Sequence, residues 1–572
     1  MKYLLTICAL AAAATSFAEV DYYFKTVKSD SVNFTDSQWD STDFTSSTFS
    51  FATAKNVVFS SESAARDFSD TRFESATLDG ADFSFANLTN AYFAGATLTD
   101  VKFDNAAING ASFFKNTTFT RAQLESTASW KSGDLRGISF SKTTLSGWDF
   151  SGKTLSGAYF TSAKLYGTNF TNADIRGANL DSVTSWGFTR DQFESTASWK
   201  NGALTGVNLE GNSMEGWNFS NADLTNASFK RSTLADANFE GAVIKGANFA
   251  YTTDKGFTRE QFESTASWKS GELYNVNFDG NTLSGWNFVS KNLYGARFSG
   301  ATISSSDFSN SIMTKTQFGS AKIDGASFAN AELKNASFNY ATIKNTSFKN
   351  ALVRDTSFTS AYLENVDFSF ADMRGTWDVN LESATLKNTI LKNGKVYGGS
   401  LQMGEGDFLT IRPHGVYSVT VTEDSDIGAG MLIYKDISLA SSHAELLADG
   451  ATIDISEASI NVFFDATETD FVGEYTLMAA LNGGKIDFGA FTSDSLEIFL
   501  ANGDIFAGEW SLELTDNALI LKVISATQEN LDTALTLRKA ALTAVPEPAT
   551  YAAILGGLAI AFAFMRKTRK GA

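Results

Sequence analysis

Leu135-Arg-Gly-Ile-Ser-Phe140-Ser-Lys-Thr-Thr-Leu145-Ser-Gly-Trp-Asp-Phe150-Ser-Gly-Lys-Thr-Leu155-Ser-Gly-Ala-Tyr-Phe160 places an apolar residue at every fifth position. The series opens at Trp130 and runs on through Leu165, Phe170, Ile175 and Leu180. An α-helix repeats near 3.6 and a strand at 2, so a sustained period of five fits neither. It marks a repeat architecture. The residue two before each large one is often small, as at Ala158 and Ala178, and the other three are mostly Ser, Thr, Asn, Asp, Lys or Gly. Two positions in five therefore point inward and three face water.

The same spacing extends in both directions. It is present at Phe34, Trp39, Phe44, Phe49 and Phe59, slips, and resumes from Phe68 to Phe113 with Ala81, Ala86, Ala91, Ala96, Ala106 and Ala111 two residues upstream. It recurs from Leu204 to Phe249, then from Leu273 to Met373, and shifts phase to Leu381, Leu386, Leu391, Val396 and Leu401 before it stops. A longer period of 69 residues overlies it: Phe119 to Trp130 recurs almost verbatim at Phe188 to Trp199 and Phe257 to Trp268. Thr120, Thr189 and Thr258, each followed three residues later by Gln123, Gln192 or Gln261, form capping boxes. Phe119 with Leu124, Phe188 with Phe193 and Phe257 with Phe262 suit hydrophobic staples. The spacing predicts a two-turn helix near 120–127, 189–196 and 258–265. Ala128 and Trp130, Ala197 and Trp199, and Ala266 and Trp268 are expected to re-enter the array in the small and large inward positions. Trp148, Trp217 and Trp286 replace the small inward residue and are expected to lean on the neighbouring helix.

Residues twenty apart are alike, Phe140 with Phe160 and Leu145 with Leu165. Each five-residue unit thus reads as one side of a four-sided coil, with coils stacked about 4.8 Å apart by strand-like hydrogen bonds. Only 3 prolines occur beside 49 phenylalanines, as stacked strands that need every N–H require. After 401 the composition changes. Short alternating runs (Tyr417–Val421, Ile460–Phe464, Tyr475–Met478, Leu496–Leu500, and Trp510–Leu514 answered by Ala518–Val523) predict an acidic all-β domain over 402–525, followed by a helical linker over 526–544.

Both ends carry targeting features. Lys2, the apolar run Leu4–Ala14 and Ser16-Phe17-Ala18 read as a signal peptide (1–18) cleaved between Ala18 and Glu19. The single cysteine, Cys8, lies inside it, so the mature chain has no thiol chemistry. At the other end Val545-Pro546-Glu547-Pro548 precedes an apolar run, 549–565, and then Arg566-Lys-Thr-Arg-Lys570. Seventeen apolar residues are near the short limit for a transmembrane helix. The formal charge of −19 is concentrated in 401–530, which carry −18, whereas 19–400 carry only −6.

Ala81-Asp-Phe-Ser-Phe, Ala86-Asn-Leu-Thr-Asn and Ala331-Glu-Leu-Lys-Asn resemble the units of pentapeptide-repeat proteins. The resemblance covers Phe34 to Leu401 and implies a right-handed quadrilateral β-helix, a solenoid over 19–401 interrupted by the short helices. The tail resembles a PEP-CTERM sorting segment. This implies recognition by a membrane exosortase, cleavage near the Pro-Glu-Pro triad, and release or transfer to the envelope surface. Residues 402–525 are loosely similar to the strand-rich end of autotransporter passenger domains.

Little catalytic chemistry is available. The two histidines, His414 and His443, are expected in loops or on the surface of the C-terminal segment. Asp82, Asp174, Asp223 and Asp307 recur as decoration of the repeat, not as a clustered acid–base set. Glu423-Asp424-Ser-Asp426 has carboxylates but no calcium-loop spacing. No catalytic residue, metal site or cofactor is assigned. The inward aromatics are core, while Tyr92, Tyr159 and Tyr340 stand outside the large inward register and are candidates for a binding face. Some pentapeptide-repeat proteins mimic DNA and bind gyrase, which needs a strongly negative cytoplasmic rod. A near-neutral array behind an export signal argues against that, and no nucleic-acid partner is expected. The expectation is an exported, non-enzymatic structural or interaction protein of the cell surface or matrix. Its partners would be signal peptidase, an exosortase-type enzyme, the membrane through the C-terminal helix, and exopolysaccharide. The alternative is an adhesin or carbohydrate-active module with its activity in 402–525.

Overall fold

The computed structural model describes residues 44–46, 48–59, 66–414, 417–438, 445–466, 470–515 and 517–543. The signal segment with Ala18 and Glu19, Phe34, Trp39, His443, and the tail with Val545, Pro546, Glu547, Pro548 and the 549–565 run lie outside the described residues. Among the described residues no helix is long and apolar enough to cross a membrane. The chain divides into two units, Met1–Ala266 and Ser267–Ala572.

In the first unit, parallel bridges fall at every fifth residue and join positions twenty apart: Asp67 to Asn87, Arg72 to Tyr92, Thr77 to Thr97, Asp82 to Lys102. Each coil therefore has four five-residue sides. The amide of Phe93 donates to Ser112 O at 2.7 Å in one neighbouring coil, and that of Tyr92 to Thr71 O at 2.8 Å in the other. The corner residue must enter the left-handed region, which Asn, Asp and Gly tolerate best. Asn90, Asn105 and Asp100 (φ 55–58°) and Gly80, Gly95 and Gly110 fill such corners. This is why the unit keeps one polar or glycine position beside its two inward ones. The interior holds stacked rings, Phe73 on Phe93 at 5.0 Å and Phe93 on Phe113 at 5.5 Å, with neighbouring columns meeting edge to face (Phe83 with Phe93, 81°). The slip seen in sequence after Phe59 has a structural counterpart: Thr48 pairs with Arg72, so this coil holds four extra residues.

At each 69-residue copy the structure forms two short helices where the pattern suggested one. They are α1 (Arg121–Ser126) and α2 (Ala128–Ser132), α3 (Arg190–Glu194) and α4 (Ala197–Lys200), and α5 (Arg259–Glu263) and α6 (Ala266–Ser270). The Thr-x-x-Gln capping boxes are formed at Thr120, Thr189 and Thr258. The Ala-x-Trp entry is corrected: Thr127 and Ser129, Thr196 and Ser198, and Thr265 and Ser267 are the buried pair, and the tryptophans lie partly exposed outside the core. The cause is local. Thr127 and Thr196 cap α2 and α4 through their hydroxyls, which turns the chain by about one position relative to the five-residue register. Ser129 Oγ then accepts the Ile108 amide at 2.9 Å, in place of a backbone carbonyl. Ser112 pairs with Ser139 across the first helix pair and Asn179 with Asn208 across the second. Both pairs thus bulge from one continuous wall. As expected, Trp217 leans on the second pair, its ring 5.2 Å from Phe193 of α3.

In the second unit the same coil runs from Leu273, with stacked columns Phe288–Phe308–Phe328–Phe348–Phe368 at 4.7–5.0 Å. On one side the rungs are regular enough to form a parallel sheet of β1 (Thr302–Ser304), β2 (Lys322–Asp324), β3 (Thr342–Lys344) and β4 (Tyr362–Glu364). Past Met373 the shifted phase holds at Leu386, Val396 and Leu401, which are buried, but not at Leu381 and Leu391, which are half-buried, Ile390 being fully buried in place of Leu391.

The separate all-β domain expected at 402–525 is instead a continuation of the solenoid. Bridges from Asp372 to Ile390, Lys395 to Thr420 and Gln402 to Asp426 carry the ladder across the compositional boundary. One core cluster extends from Phe370 to Ala534. The coils widen, with Leu432 over Ile460 and Ser425 beside Ile453, and present three sheets. The main one is parallel throughout: Phe408–Ile411, Met431–Ile437, Ser459–Phe464 and Leu496–Phe499. Period-two alternation reveals a strand but not its partner's direction: Ala518–Val523 runs antiparallel to both its neighbours, Gly473–Leu481 on one side and Trp510–Thr515, with which it forms a hairpin, on the other. Helix α7 (Gln528–Thr543) closes the described chain, with Asn530 and Ala534 buried.

The glutamines of the capping boxes tie the helices to the wall. Gln192 accepts the Thr189 amide at 2.7 Å and donates to Leu165 O and Thr168 O at 2.9 and 2.7 Å. Gln192→Ala leaves the Thr189 amide and Thr168 O without these partners, Leu165 O keeping the Thr168 amide, and is expected to cost about 1–3 kcal/mol, read as a lower thermal midpoint. Gln192→Glu, which keeps the acceptor but not the donors, should also destabilise; an unchanged midpoint in both variants would contradict the tie.

Candidate functional site: a wall groove beside buried arginines

Asp-x-Arg with a large apolar inward residue between the two occurs three times in the repeat, at Asp134-Leu-Arg136, Asp174-Ile-Arg176 and Asp372-Met-Arg374. Arg136 forms a bidentate pair with Asp134, and Arg176 with Asp174, the two arginine side chains being 65% and 58% exposed. The third, Asp372 with Arg374, has the same local geometry at 3.0 and 2.7 Å but is buried, the side chains 3% and 0% exposed. The difference lies in what covers it. The segment Arg412-Pro413-His414 with Tyr417, where the coil widens, folds over this part of the wall. Arg374 donates to Tyr417 O (2.7 Å) and Arg412 O (2.8 Å), and Arg354 to Pro413 O (2.7 Å). Arg412 in turn bridges Glu332 and Asp436.

Burial raises the Asp372 carboxyl, but the guanidiniums of Arg374 and Arg354 outweigh it and hold the group below the usual carboxylate range. For Arg354 burial prevails and lowers it. Burial also lowers Arg412, yet Asp436 and Glu332 raise it overall. Burial, with Arg412 close by, brings Lys435 down to about 8.

His414 lies in a loop, as expected, but its ring is turned in from the open surface. Its side chain is 9% exposed, with both ring nitrogens enclosed and Nε2 3.7 Å from Asp355 Oδ1. Burial lowers its pKa, and the charges of Arg374 and Arg354 lower it further against the opposing pull of Asp355 and Asp372.

Asp355 also lines an open groove of about 400 Å³, with Asn335, Asn339, Ser357, Thr359, Trp377 and Asp378. Successive coils supply these residues in register: Trp377 is the last rung of the column Ser337–Ser357–Trp377. Its indole is 64% exposed because the column ends there, and Tyr340, next to Asn339 in a left-handed corner, is 66% exposed. Asn339 Oδ1 accepts from Ser357 Oγ (2.5 Å) and the Thr359 amide (3.1 Å), and Thr359 Oγ1 donates to Asp378 at 3.0 Å. A flat apolar face beside fixed amide and carboxylate groups suits a polyhydroxylated ligand.

The residues singled out from sequence are not brought together. Asp82, Asp223 and Asp307 each accept the amide two residues on, from Ser84, Thr225 and Ser309, as turn caps. Asp174 accepts from the Arg176 amide in the same way. Asp424 and Asp426 are occupied by the amides of Thr452 and Gly428. Among the described residues no group of three or more His, Cys, Asp or Glu is placed to hold a metal ion. Tyr92 lies under Arg72, 4.8 Å from ring centre to guanidinium, whereas Tyr159 is 49% exposed. Trp377, Asp355 and the buried arginines were missed. The available signal was a tryptophan interrupting a serine column.

The architecture is that of a repeat solenoid, and the comparisons agree. The chain contains pentapeptide repeats: the profile of the Pentapeptide repeats family matches in eight copies, within 67–105, 154–183, 204–241, 222–253, 272–310, 311–350 and 343–376. Among curated proteins nothing matches. Similar solved structures include HetL, a pentapeptide repeat protein involved in heterocyst differentiation regulation in the cyanobacterium Nostoc sp. strain PCC 7120 (18% identity, 47% of this chain and 96% of that one, TM-score 0.18). Another is a pentapeptide repeat protein of the Arabidopsis thaliana thylakoid lumen (28% identity, 19% and 65%, TM-score 0.11). A third is full-length QnrB1, a plasmid-mediated fluoroquinolone resistance protein (16% identity, 37% and 93%, TM-score 0.16).

Two outcomes follow from the buried arginines. Arg374→Met strands the Asp372 charge in the interior and is expected to cost about 3–5 kcal/mol, whereas Arg176→Met, in the exposed copy of the motif, should leave the thermal midpoint nearly unchanged. For pH, a histidine whose folded pKa is lowered stabilises fully above its unfolded value and loses that contribution as pH falls below about 6.5. Asp372, also lowered, loses its contribution only below about pH 4. Lys435, also lowered, has lost its contribution by about pH 8, so on acidification from pH 8 the thermal midpoint should begin to drop below pH 6.5, and His414→Gln should flatten that limb.

Proposed function

We propose that this is an exported, non-enzymatic structural or interaction protein of the cell surface or extracellular matrix, associated with polysaccharide and sorted through its C-terminal tail. The observation that carries the reading is the outward wall. Its Asn, Ser, Thr and Asp side chains are held in turn caps over a rigid ladder, and Trp377 and Tyr340 stand exposed beside a polar groove. Such a surface offers many weak, repeated contacts to a polyhydroxylated polymer, and avidity makes weak contacts sufficient. Export is supported by the leader-like residues 2–18 with the Ala18–Glu19 junction. Sorting is supported by Val545-Pro-Glu-Pro548 and the apolar and basic residues after it, which present an exosortase-type enzyme with a membrane-embedded substrate.

Affinity electrophoresis of the purified protein through gels containing extracted envelope polysaccharide tests the binding half. Retardation that falls with Trp377→Ala is expected, while equal mobility with and without the polymer would sink it. Deleting Val545–Ala572 tests the sorting half, since surface display that persists unchanged would refute it.

A further inference from the structure

The three helix pairs are near copies, so a difference among them stands out. In the first, the Lys153 ammonium lies 4.3 Å from the centre of the Trp130 ring and donates to Trp130 O at 2.8 Å. In the third, Lys291 stands 4.2 Å from the Trp268 ring and donates to Trp268 O at 2.8 Å. Both lysine stems lie over the glycine that ends the second helix: their Cδ atoms are 3.9 and 3.8 Å from where Gly133 and Gly271 would carry a Cβ. In these two copies a primary ammonium on an unbranched stem covers an indole face and occupies a helix-terminal carbonyl.

In the second copy the lysine is Ala222. The stem is gone, and an open groove of about 350 Å³ remains, lined by Trp199, Gly202, Asn218, Phe219, Ser220 and Ala222 among others. The receiving groups are kept. The Trp199 indole N–H donates to Asn218 O at 2.7 Å, fixing the ring as the Trp268 N–H does on Asn287 O. Trp199 O accepts the Gly202 amide at 3.0 Å, as Trp130 O accepts that of Gly133, and here it also faces the Asn201 amide, so the receiving group kept free in this copy is the indole face. Lys200, which also borders the groove, is turned away onto Asn172 Oδ1 at 2.7 Å, as Lys131 is onto Asn105. The residue after Ala222 is Asp223, where the other copies have Thr154 and Asn292; it lies outside the lining of the groove and is bound by Thr225 and Thr205.

We propose that the Trp199 groove binds a primary ammonium carried on an unbranched alkyl chain, the group the protein itself supplies at the other two copies. The ring quadrupole attracts the cation and the groove takes the stem. A free alkyl diamine and a lysine side chain share this chemistry.

The test is an NMR titration of the full chain labelled at its tryptophan indole nitrogens, with n-butylammonium chloride as probe and the Trp199 signal identified from Trp199→Phe. A saturable shift confined to that signal is expected, with n-butanol producing none. Ala222→Lys should weaken the response by about tenfold or more by filling the groove from within. Lys153→Ala should create a second responding signal at Trp130. Absence of a saturable shift at Trp199, or an equal shift in Ala222→Lys, overturns the proposal. Tighter binding of pentane-1,5-diamine than of N-acetyl-lysine methylamide assigns a free amine as the source, and the reverse order assigns a lysine side chain.

Discussion

The structure rests on one constraint, that each coil must hydrogen-bond to the coil before and the coil after along every side. The bridges at twenty-residue spacing express it, and once the spacing is set, residue identity is forced by position. A phenylalanine meets the phenylalanine twenty residues on, at about 5 Å with nearly parallel rings in the best-ordered columns. Adjacent columns then have only edge-to-face contact left, and this appears at 79–89° from Phe288 to Phe368. Both arrangements are favourable for aromatic quadrupoles. The same constraint fixes the corner, where a left-handed residue recurs and asparagine or glycine is selected.

Regularity made the core legible in sequence. The five-residue period gave the inward residues, the twenty-residue alikeness gave four sides, and Thr-x-x-Gln gave the helix starts. Reading failed where a local interaction competed with the period. Thr127 and Thr196 cap a second helix, and a period count cannot see the rotation this introduces, so Trp130 and Trp199 were placed inside when they lie on the wall. It failed again after 401. Composition changes there because wider, three-sheet coils use longer alternating strands, and a change of coil looks in sequence like a change of domain. The enclosure of His414 was not legible because its loop lies against wall residues such as Asp355, about 60 residues earlier, which alternation does not report.

The candidate site was less legible for a related reason: its residues belong to the pattern and differ only in surroundings. Asp134-x-Arg136, Asp174-x-Arg176 and Asp372-x-Arg374 are one motif in one local geometry. On an open wall the pair is screened and worth little. Under the Arg412–His414 segment each guanidinium gains backbone carbonyls to bind, and desolvation makes loss of either partner severe. Where a narrow coil gives way to a wide one, the wall needs such a joint, because the wide coil brings backbone carbonyls over side chains that elsewhere face water.

A ladder of this kind separates the work of its two faces. Inward positions must match the coils on either side, so a change there propagates; outward positions meet only their neighbours in the same column and can change singly. The 69-residue copies show the consequence. Their helix caps, staples and buried serines are nearly invariant, while the wall position that is lysine in the first and third copies is alanine in the second. The alanine is not dictated by the fold, for the tryptophan and the glycine that accommodate a lysine are both still present beside it. In a repeat protein, a position at which the scaffold is kept and only the occupant changes is where one copy can acquire a role that the others lack.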